Sequence, residues 1–264
     1  MRRRDIVLSG LLASMVSRTA SAKPVVFGIN AEVSYRETEA DVRHRYGPFL
    51  DHVSQVSGTR VQFKPVYSDQ VTRVLTDDQC DLMLLHTHAA LQAERDRGWQ
   101  LVGVTEDRGN DVVHFFVRPD SQIQDHREIP SHPVGSPGMQ SWAVATARSM
   151  MRQWAPGTKP TFVTTKLQDA VPLMVELKRT PVGISRSKKL VADYVRQQRL
   201  RVVYSTKAMP LNAIIASPDL APDLIEKLRN FLGTERNPEV FEDLGFTGIR
   251  YSDTEARRLR TFYA

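Results

Sequence analysis

Apolar residues along the chain follow two alternating periods, one typical of strands and one typical of helices. Short apolar or alternating runs predict strands at Pro24–Asn30, Thr59–Tyr67, Leu82–Leu85, Leu101–Val104, Val112–Val117, around Val134, Thr161–Thr165, Val182–Ser185, Arg201–Tyr204 and Leu211–Ser217. Apolar residues three and four apart predict helices at Glu37–Ser57, Asp69–Thr76, His88–Arg95, Gln140–Trp154, Leu167–Lys178, Ser187–Gln198, Pro222–Leu232, Glu239–Leu244 and Asp253–Phe262. Gly58 is the expected stop of the first helix, and Asp69 the expected N-cap of the second. Strands separated by helices favour an α/β fold built from parallel βαβ units.

Two polar segments interrupt this alternation. Asp120–Pro133 contains Pro130 and Pro133 and directly follows Pro119, so it is the first candidate connector. Ser205–Pro210 is the second candidate connector. They predict two lobes, each a sheet flanked by helices, joined by two hinge crossings with a cleft between them. The corresponding division is residues 1–22 as a leader, 23–120 as the first part of lobe I, 121–207 as lobe II, and 208–264 as the return to lobe I with the C-terminal helices.

The N-terminus has the three regions of a secretory signal peptide. A basic start (Arg2–Arg4) precedes an apolar run (Ile6–Val16), and Ala20-Ser21-Ala22 forms a small-x-small cleavage signature. We therefore expect export to the periplasm with cleavage near Ala22, by either the Sec or the twin-arginine route. The alternative is a cytosolic helix with a basic end. Cys80 is the only cysteine, so no intramolecular disulfide is expected.

Charge narrows the class of ligand only slightly. The whole chain has a formal net charge of +6, but the first 22 residues contain four arginines and one aspartate and so carry half of it. The remaining balance does not indicate nucleic-acid binding and is weakly favourable for a small anion. No metal or other cofactor is predicted, because a lone cysteine and scattered histidines do not form a ligand set. A monomer suits a protein that only binds a small ligand.

The order of several segments resembles the periplasmic binding proteins for phosphate, phosphite and phosphonate. The segments are a helix ending in glycine before a strand (Val53–Val61), an Asp-led strand (Cys80–Leu85), a loop and Ala-rich helix (His86–Ala93), a strand running into Arg-Pro-Asp-Ser (Val113–Ser121), and a late Pro-to-Leu segment (Pro210–Leu220). The resemblance implies a type II two-lobed periplasmic binding protein that delivers a small oxyanion to an ABC-transporter permease in the inner membrane. The chain departs from the Ser-Thr-Ser-Gly stretch of the best-known phosphonate binders, since it has Gly135–Trp142 there.

The segment before the predicted fourth helix is a candidate anion site. Free backbone N–H groups at a helix start attract anions, and Ser136, Gln140 and Ser141 would add side-chain donors. The alternative role of Ser136 or Ser141 is to cap the helix.

The ends of other strands supply further candidates. His86, Thr87 and His88 follow a buried strand at its carboxyl end, where cleft loops lie. For these three, anion contact, a solvated loop or a buried histidine, and metal binding all stay open. The other candidates are Arg186 as a guanidinium clamp, Thr165 as a cleft hydroxyl, and Tyr35 and Tyr67 as cleft phenols. Surface exposure, capping and packing are their respective alternatives.

These observations predict a binding protein without catalysis. The chain has no Gly-x-Ser-x-Gly elbow, no His-Glu-x-x-His motif and no defensible pair of carboxylates, which argues against a periplasmic hydrolase. A ligand-binding receptor for a sensor kinase, and a binder of sulfonate, nitrate or an organic solute, stay open because the fold alone does not choose the ligand.

Overall fold

The computed structural model describes residues 23–30, 38–107, 111–235 and 237–264. Within them the chain forms two sheets. The six-stranded first sheet has the order β11-β4-β10-β3-β1-β2, and the five-stranded second sheet has the order β7-β6-β8-β5-β9. The strands are β1 Val25–Ile29, β2 Val61–Pro65, β3 Leu82–His86, β4 Gln100–Asp107, β5 His114–Val117, β6 Val134–Ser136, β7 Phe162–Thr164, β8 Val182–Ser185, β9 Arg201–Ser205, β10 Asn212–Ala216 and β11 Phe246–Arg250.

Helices cover both sheets. They are α1 Glu39–Ser57, α2 Val71–Thr76, α3 Thr87–Arg97, α4 Trp142–Trp154, α5 Ala170–Glu176, α6 Lys188–Arg196, α7 Pro222–Thr234, α8 Pro238–Phe241 and α9 Asp253–Tyr263, with a 3-10 helix at His126–Ser131. Two sheets flanked by helices are the predicted two-lobed α/β architecture, so this prediction is confirmed.

Neither sheet is purely parallel, however. β1 pairs in parallel with β2 and β3, whereas β10 is antiparallel to β3 and β4, and β11 is antiparallel to β4. In the second sheet β5 is antiparallel to both β8 and β9. The expectation of parallel units therefore fails for the strands next to the two crossings. A strand that enters a sheet from the other lobe has no crossover helix beside it to set its direction.

The alternation of side chains in β3 divides the core of the first sheet. Leu82 and Leu84 face the cluster beneath α1 and α7, while Met83 and Leu85 face the opposite cluster, which continues to Phe115 of the second sheet. Successive strand residues point to opposite faces, so a continuous apolar run is what a strand covered on both faces requires. One apolar cluster thus runs between the two sheets.

The predicted elements differ from the structure at one helix cap and at one strand, and agree with it at the end of the first helix. Asp69 does not cap α2, whose N-cap residue is Gln70 without a side-chain hydrogen bond. β11 was not predicted, although Phe246 and Ile249 are buried. The first helix does end at Gly58, which has a φ of 66°. A left-handed residue after a helix suits glycine, because a Cβ there is strained.

The segment Asp120–Pro133 is not the crossing itself. β5, which the sequence division placed before the crossing, hydrogen-bonds to β8 and β9 and belongs to the second sheet. Within the polar segment, Asp125 and Glu128 form a capping box, and Ile129 is buried. Its polarity reflects an exposed 3-10 helix packed against α4. The second connector does separate β9 from β10. The predicted leader, residues 1–22, lies outside the described residues.

Cys80 is buried immediately before β3. Burial raises the pKa of its thiol to about 11, so the thiol stays protonated at neutral pH. Within the described residues, no helix combines the length and apolar character that a membrane span needs.

A glycine at the centre of β8 is required by packing. A Cβ added to Gly183 would lie 2.4 Å from Cε2 of Phe116 and 2.7 Å from Cγ2 of Val175. We expect Gly183→Ala to lower the free energy of unfolding by about 1–3 kcal/mol, because the buried ring must shift. Denaturant unfolding followed by circular dichroism measures the change.

Gly233→Ala is the matched control for that substitution. Apart from its chain neighbours and its own helix backbone, no atom lies within 4 Å of a Cβ added there, and the residue lies inside α7, so alanine there should stabilise by up to about 1 kcal/mol. Equal effects of the two substitutions would contradict the packing argument.

Candidate ligand-binding site

A cavity of about 520 Å³ lies where the carboxyl ends of β1 and β3 meet the start of α4. It takes residues from elements of both sheets, as expected for a cleft between two lobes. Its lining comprises Asn30, Ser68, Val71, Thr72, Leu75, His86, His88, Ala89, Gln92, Ala93, Asp96, Arg97, Met139, Gln140, Ala145 and Arg148.

On the side of the first sheet, two polar side chains are held by hydrogen bonds. The amide of Asn30, at the end of β1, donates from Nδ2 to the carbonyl oxygen of Val66 at 2.8 Å. His86, the last residue of β3, places Nδ1 2.8 Å from Oδ1 of Asn212, which is itself buried. Both side chains are therefore fixed by backbone or strand neighbours before any ligand arrives, which lowers the entropy cost of binding.

His88 connects the two sides of the cavity. Its Nε2 donates to the backbone oxygen of Gln140 at 3.1 Å. A carbonyl oxygen only accepts, so Nε2 carries the proton and Nδ1 is bare in the neutral ring. Burial, together with the nearby His86 and Arg148, lowers the pKa of His88 to about 4. The ring is therefore neutral at neutral pH and acts there as a donor across the cleft.

The start of α4 forms the other side. Ser141 is the N-cap, and its Oγ accepts from the backbone N–H of Val144 at 3.3 Å. Met139 and Gln140, directly before it, are exposed in the cavity wall. Helix starts carry partial positive charge and unpaired N–H groups, so this end of α4 favours an anion.

Ser136 is the last residue of β6. Its side chain is fully buried, and among the described residues its Oγ has no hydrogen-bond partner. Its backbone oxygen accepts from the N–H of Thr165 at 2.9 Å, which aligns the ends of β6 and β7. A buried hydroxyl without a partner is uncommon and calls for an explanation.

The charge of the cavity wall is mainly positive. Arg97 and Arg148 line it, and Asp96 is the one acidic side chain among the lining residues that the structure describes. The carboxylate of Asp96 pairs with Arg95 at 2.9 Å. The electrostatics of the wall therefore favour an anion over a cation.

Three of the ten predicted site residues line this cavity, namely His86, His88 and Gln140. The hydroxyl of Thr87 is buried and donates to the backbone oxygen of Pro210 at 2.8 Å, so it ties α3 to the second connector. Ser136 and Ser141 lie at the end of β6 and the start of α4. Tyr67, Thr165 and Arg186 are half-buried residues that follow β2, β7 and β8. Tyr35 lies outside the described residues.

Most of the other lining residues were missed by sequence reasoning, and Asn30 and Arg148 show why. Asn30 follows β1 directly, so the rule applied to His86 would have found it. Arg148 lies inside α4, and only the packing of α3 against α4 brings it to the cavity. Helical spacing from Ser141 places Ala145 and Arg148 on one face, which is a weak signal.

Metal binding by His86 and His88 would need a third ligand, and the described residues place none beside them. The rings are stacked with centroids 6.2 Å apart, and the described residues contain no group of three or more His, Cys, Asp or Glu side chains placed to hold an ion.

Comparison with known proteins identifies a family and several solved structures of similar fold. Residues 33–256 match the model of the family described as "ABC transporter, phosphonate, periplasmic substrate-binding protein". No curated protein matches the chain in sequence.

Solved structures resemble this one at low sequence identity. XAC2383 from Xanthomonas citri, bound to ATP, has a TM-score of 0.70 at 19% identity, covering 90% of this chain and 95% of that one. PhnD1 from Prochlorococcus marinus, in complex with methylphosphonate, has a TM-score of 0.57 at 14% identity, covering 91% and 97%. A putative periplasmic sulfonate-binding protein from Methylobacillus flagellatus has a TM-score of 0.56 at 12% identity, covering 92% and 81%. These likenesses establish the fold and leave the ligand open.

Proposed function

Because the chain belongs to the family of periplasmic substrate-binding proteins of phosphonate ABC transporters, we propose that it binds a small phosphorus oxyanion between its two lobes. Proteins of this family are exported to the periplasm, bind a small ligand and present it to a permease, and they are not enzymes. The proposed ligands are phosphonate, phosphite and phosphate.

The positive wall around the start of α4 is the observation that carries this proposal. Arg97, Arg148 and the start of α4 contribute to one cavity in which Asp96 is the only acidic side chain among the described lining residues. Oxyanions accept charge-assisted hydrogen bonds from guanidinium and backbone N–H groups. The amine of an aminoalkylphosphonate would need an acidic partner, and Asp96 is already paired with Arg95. The wall therefore favours an oxyanion without an amine.

The remaining predicted contacts belong to the same proposal. The unpartnered hydroxyl of Ser136 and the phenol of Tyr67 are the proposed donors from the ends of β6 and β2. Thr165 and Arg186 follow β7 and β8, which are neighbours of β6 on either side. Strand ends of the second sheet would then meet those of the first around one anion, and closure would exclude water.

The proposed division of the chain into two lobes follows the membership of the strands in the two sheets. Lobe I takes β1–β4, β10 and β11, and lobe II takes β5–β9, in keeping with sheet membership. The leader is residues 1–22, removed near Ala22. N-terminal sequencing of the protein recovered from the periplasm tests this cleavage, and a start far from Lys23 would contradict it.

A thermal-shift screen of residues 23–264 tests the ligand. The panel is methylphosphonate, phosphite, phosphate, aminoethylphosphonate, sulfate and nitrate. A ligand that binds only the folded state stabilises it by ~2.7 kcal/mol at a hundredfold excess over its Kd. We expect stabilisation by at least one phosphorus oxyanion. Stabilisation by sulfate or nitrate alone, or by none of the panel, would overturn the proposal.

Two arginines of α4 provide a matched pair for locating the site. Arg148 lines the cavity, whereas Arg152, one turn further along the helix, does not. We expect Arg148→Gln to weaken oxyanion binding by about tenfold or more, ~1.4 kcal/mol, since a charged hydrogen bond is lost. Arg152→Gln removes the same charge and should change the Kd by less than about twofold, as measured by titration calorimetry. Equal effects would place the anion elsewhere.

A further inference from the structure

A second cavity lies behind His88, between α3, α4 and the end of α9. Its volume is about 480 Å³, and its lining residues are His88, Gln92, Arg95, Ala145, Arg148, Ser149, Arg152, Tyr263 and Ala264. It shares His88, Gln92, Ala145 and Arg148 with the candidate ligand site, whereas Arg95, Ser149, Arg152, Tyr263 and Ala264 line this second cavity alone. This arginine groove, as we call it, is formed jointly by helices that pack on the two different sheets.

Three guanidinium groups line the arginine groove, whereas the described lining residues include no acidic side chain and one terminal carboxylate, that of Ala264. Arg95 forms an exposed ion pair with Asp96 at 2.9 Å, which lies outside the lining. Within the described residues, Cζ of Arg148 lies 5.6 Å from the centre of the Phe162 ring, and Arg152 donates to Oγ of Ser149 at 3.2 Å. Neither of these two forms an ion pair with a carboxylate of the described chain. Among the described lining residues the three positive charges therefore outnumber the negative groups, since the one carboxylate there is the terminal carboxylate of Ala264.

The two arginines of α4 also repel each other. Arg148 and Arg152 are four residues apart, one helical turn, so their side chains are neighbours on one face. Like charges at this spacing destabilise a helix by roughly 0.2–0.5 kcal/mol. An anion between them would convert this repulsion into two charge-assisted hydrogen bonds, and guanidinium groups match phosphate oxygens in geometry.

The floor of the arginine groove is uncharged. Tyr263 is partly buried, its hydroxyl lies 3.0 Å from Oγ1 of Thr146, and burial raises the pKa of the phenol. The ring of His88 lies against that of Tyr263, with centroids 6.3 Å apart. Of the three arginines Arg148 is half-buried and Arg95 and Arg152 are exposed, so the attraction of Arg148 for an anion is the least screened by solvent.

From these observations we propose that the arginine groove is a second anion site, which takes a small polyanion with linked phosphate groups. A single phosphate can satisfy one arginine fork, whereas linked phosphates contact Arg148, Arg152 and Arg95 together. The site is distinct from the proposed oxyanion cleft, and binding there does not require that the cleft take a phosphonate. Because α3 and α4 belong to different lobes, a bound polyanion would favour the arrangement of lobes seen here.

Pyrophosphate is the probe for the arginine groove. It is titrated by calorimetry into residues 23–264 at an ionic strength of ~0.15 M, where nonspecific surface attraction is largely screened. We expect saturable binding that weakens about tenfold or more in Arg95→Gln/Arg152→Gln, ~1.4 kcal/mol. Both substituted residues line only the groove and not the cleft cavity.

Arg97→Gln is the matched control, since Arg97 lies on α3 two residues from Arg95 but lines only the cleft cavity. It should leave pyrophosphate binding at the groove unchanged, and the double variant should keep any methylphosphonate binding of the parent. Absence of pyrophosphate binding, or equal affinity in parent and double variant, would overturn the proposal. Failure of methylphosphonate to bind would instead count against the cleft alone.

Discussion

Replacing Phe49 by alanine is expected to lower the free energy of unfolding by about 3–5 kcal/mol. Phe49 of α1 is fully buried, and its ring lies 5.9 Å from that of Phe27, 6.1 Å from that of Phe241 and 6.4 Å from that of Phe246. These rings come from β1, α8 and β11, so one side chain joins the start and the end of the chain. Alanine would leave a cavity that rigid strands cannot fill and would remove three aromatic contacts.

Phe49→Leu is the matched control for that substitution. It keeps most of the apolar volume, so we expect a loss below about 1.5 kcal/mol. Urea unfolding of both variants, followed by circular dichroism and tryptophan fluorescence, measures the difference. If Phe49→Ala cost less than about 1 kcal/mol, the aromatic cluster would not hold the ends of the first sheet together.

Acidification from pH 7 to pH 4 is expected to remove up to about 3 kcal/mol of stability through His88 alone. The folded-state pKa of His88 is lowered from 6.5 to about 4, mainly by burial and then by His86 and Arg148. In the unfolded chain this histidine binds a proton near its ordinary pKa. The unfolded state thus holds more protons between these values, and stability falls as the pH falls through that window.

His88→Gln tests this expectation while keeping an N–H donor for the backbone oxygen of Gln140. We expect the variant to show a shallower loss of stability between pH 6.5 and about 4, by up to ~3 kcal/mol, in urea unfolding at a series of pH values. Gln92→Ala changes a neighbouring, non-titrating residue of both cavities and should keep the slope of the parent. Parallel profiles for parent and His88→Gln would show that the histidine does not resist protonation.

The sequence pattern predicted most helices and strands, but it predicted less well which strands pair with each other. The helix Glu39–Ser57 and its stop at Gly58 were predicted because periodicity and a left-handed glycine are local signals. The strand Phe246–Arg250 was missed because only two of its residues, Phe246 and Ile249, mark it as apolar and because glutamates and glycine surround it. Its strand conformation depends on pairing with β4, a partner far away in the chain.

The residues of the candidate site likewise separate into those with a local sequence signal and those that depend on long-range contacts. His86 and His88 were found because residues after a buried strand lie at the edge of a sheet. Arg148 was not, because its helical spacing from Ser141 is only a weak signal and the packing of α3 against α4 decides which arginine of α4 reaches the cavity. Thr87 had the right position but is bonded to the backbone of Pro210, so its hydroxyl supports the connector.

For this protein, the residues in their order determined the strands and helices, the two-lobed class and the family, since these depend on local periodicity and on the succession of motifs. The tertiary structure decided the directions of β5, β10 and β11, the membership of β5 in the second sheet, and the meeting of Asn30, His88 and Arg148 around one cavity. Such features depend on contacts between distant segments, and their free energies come from packing and charge that no local pattern contains.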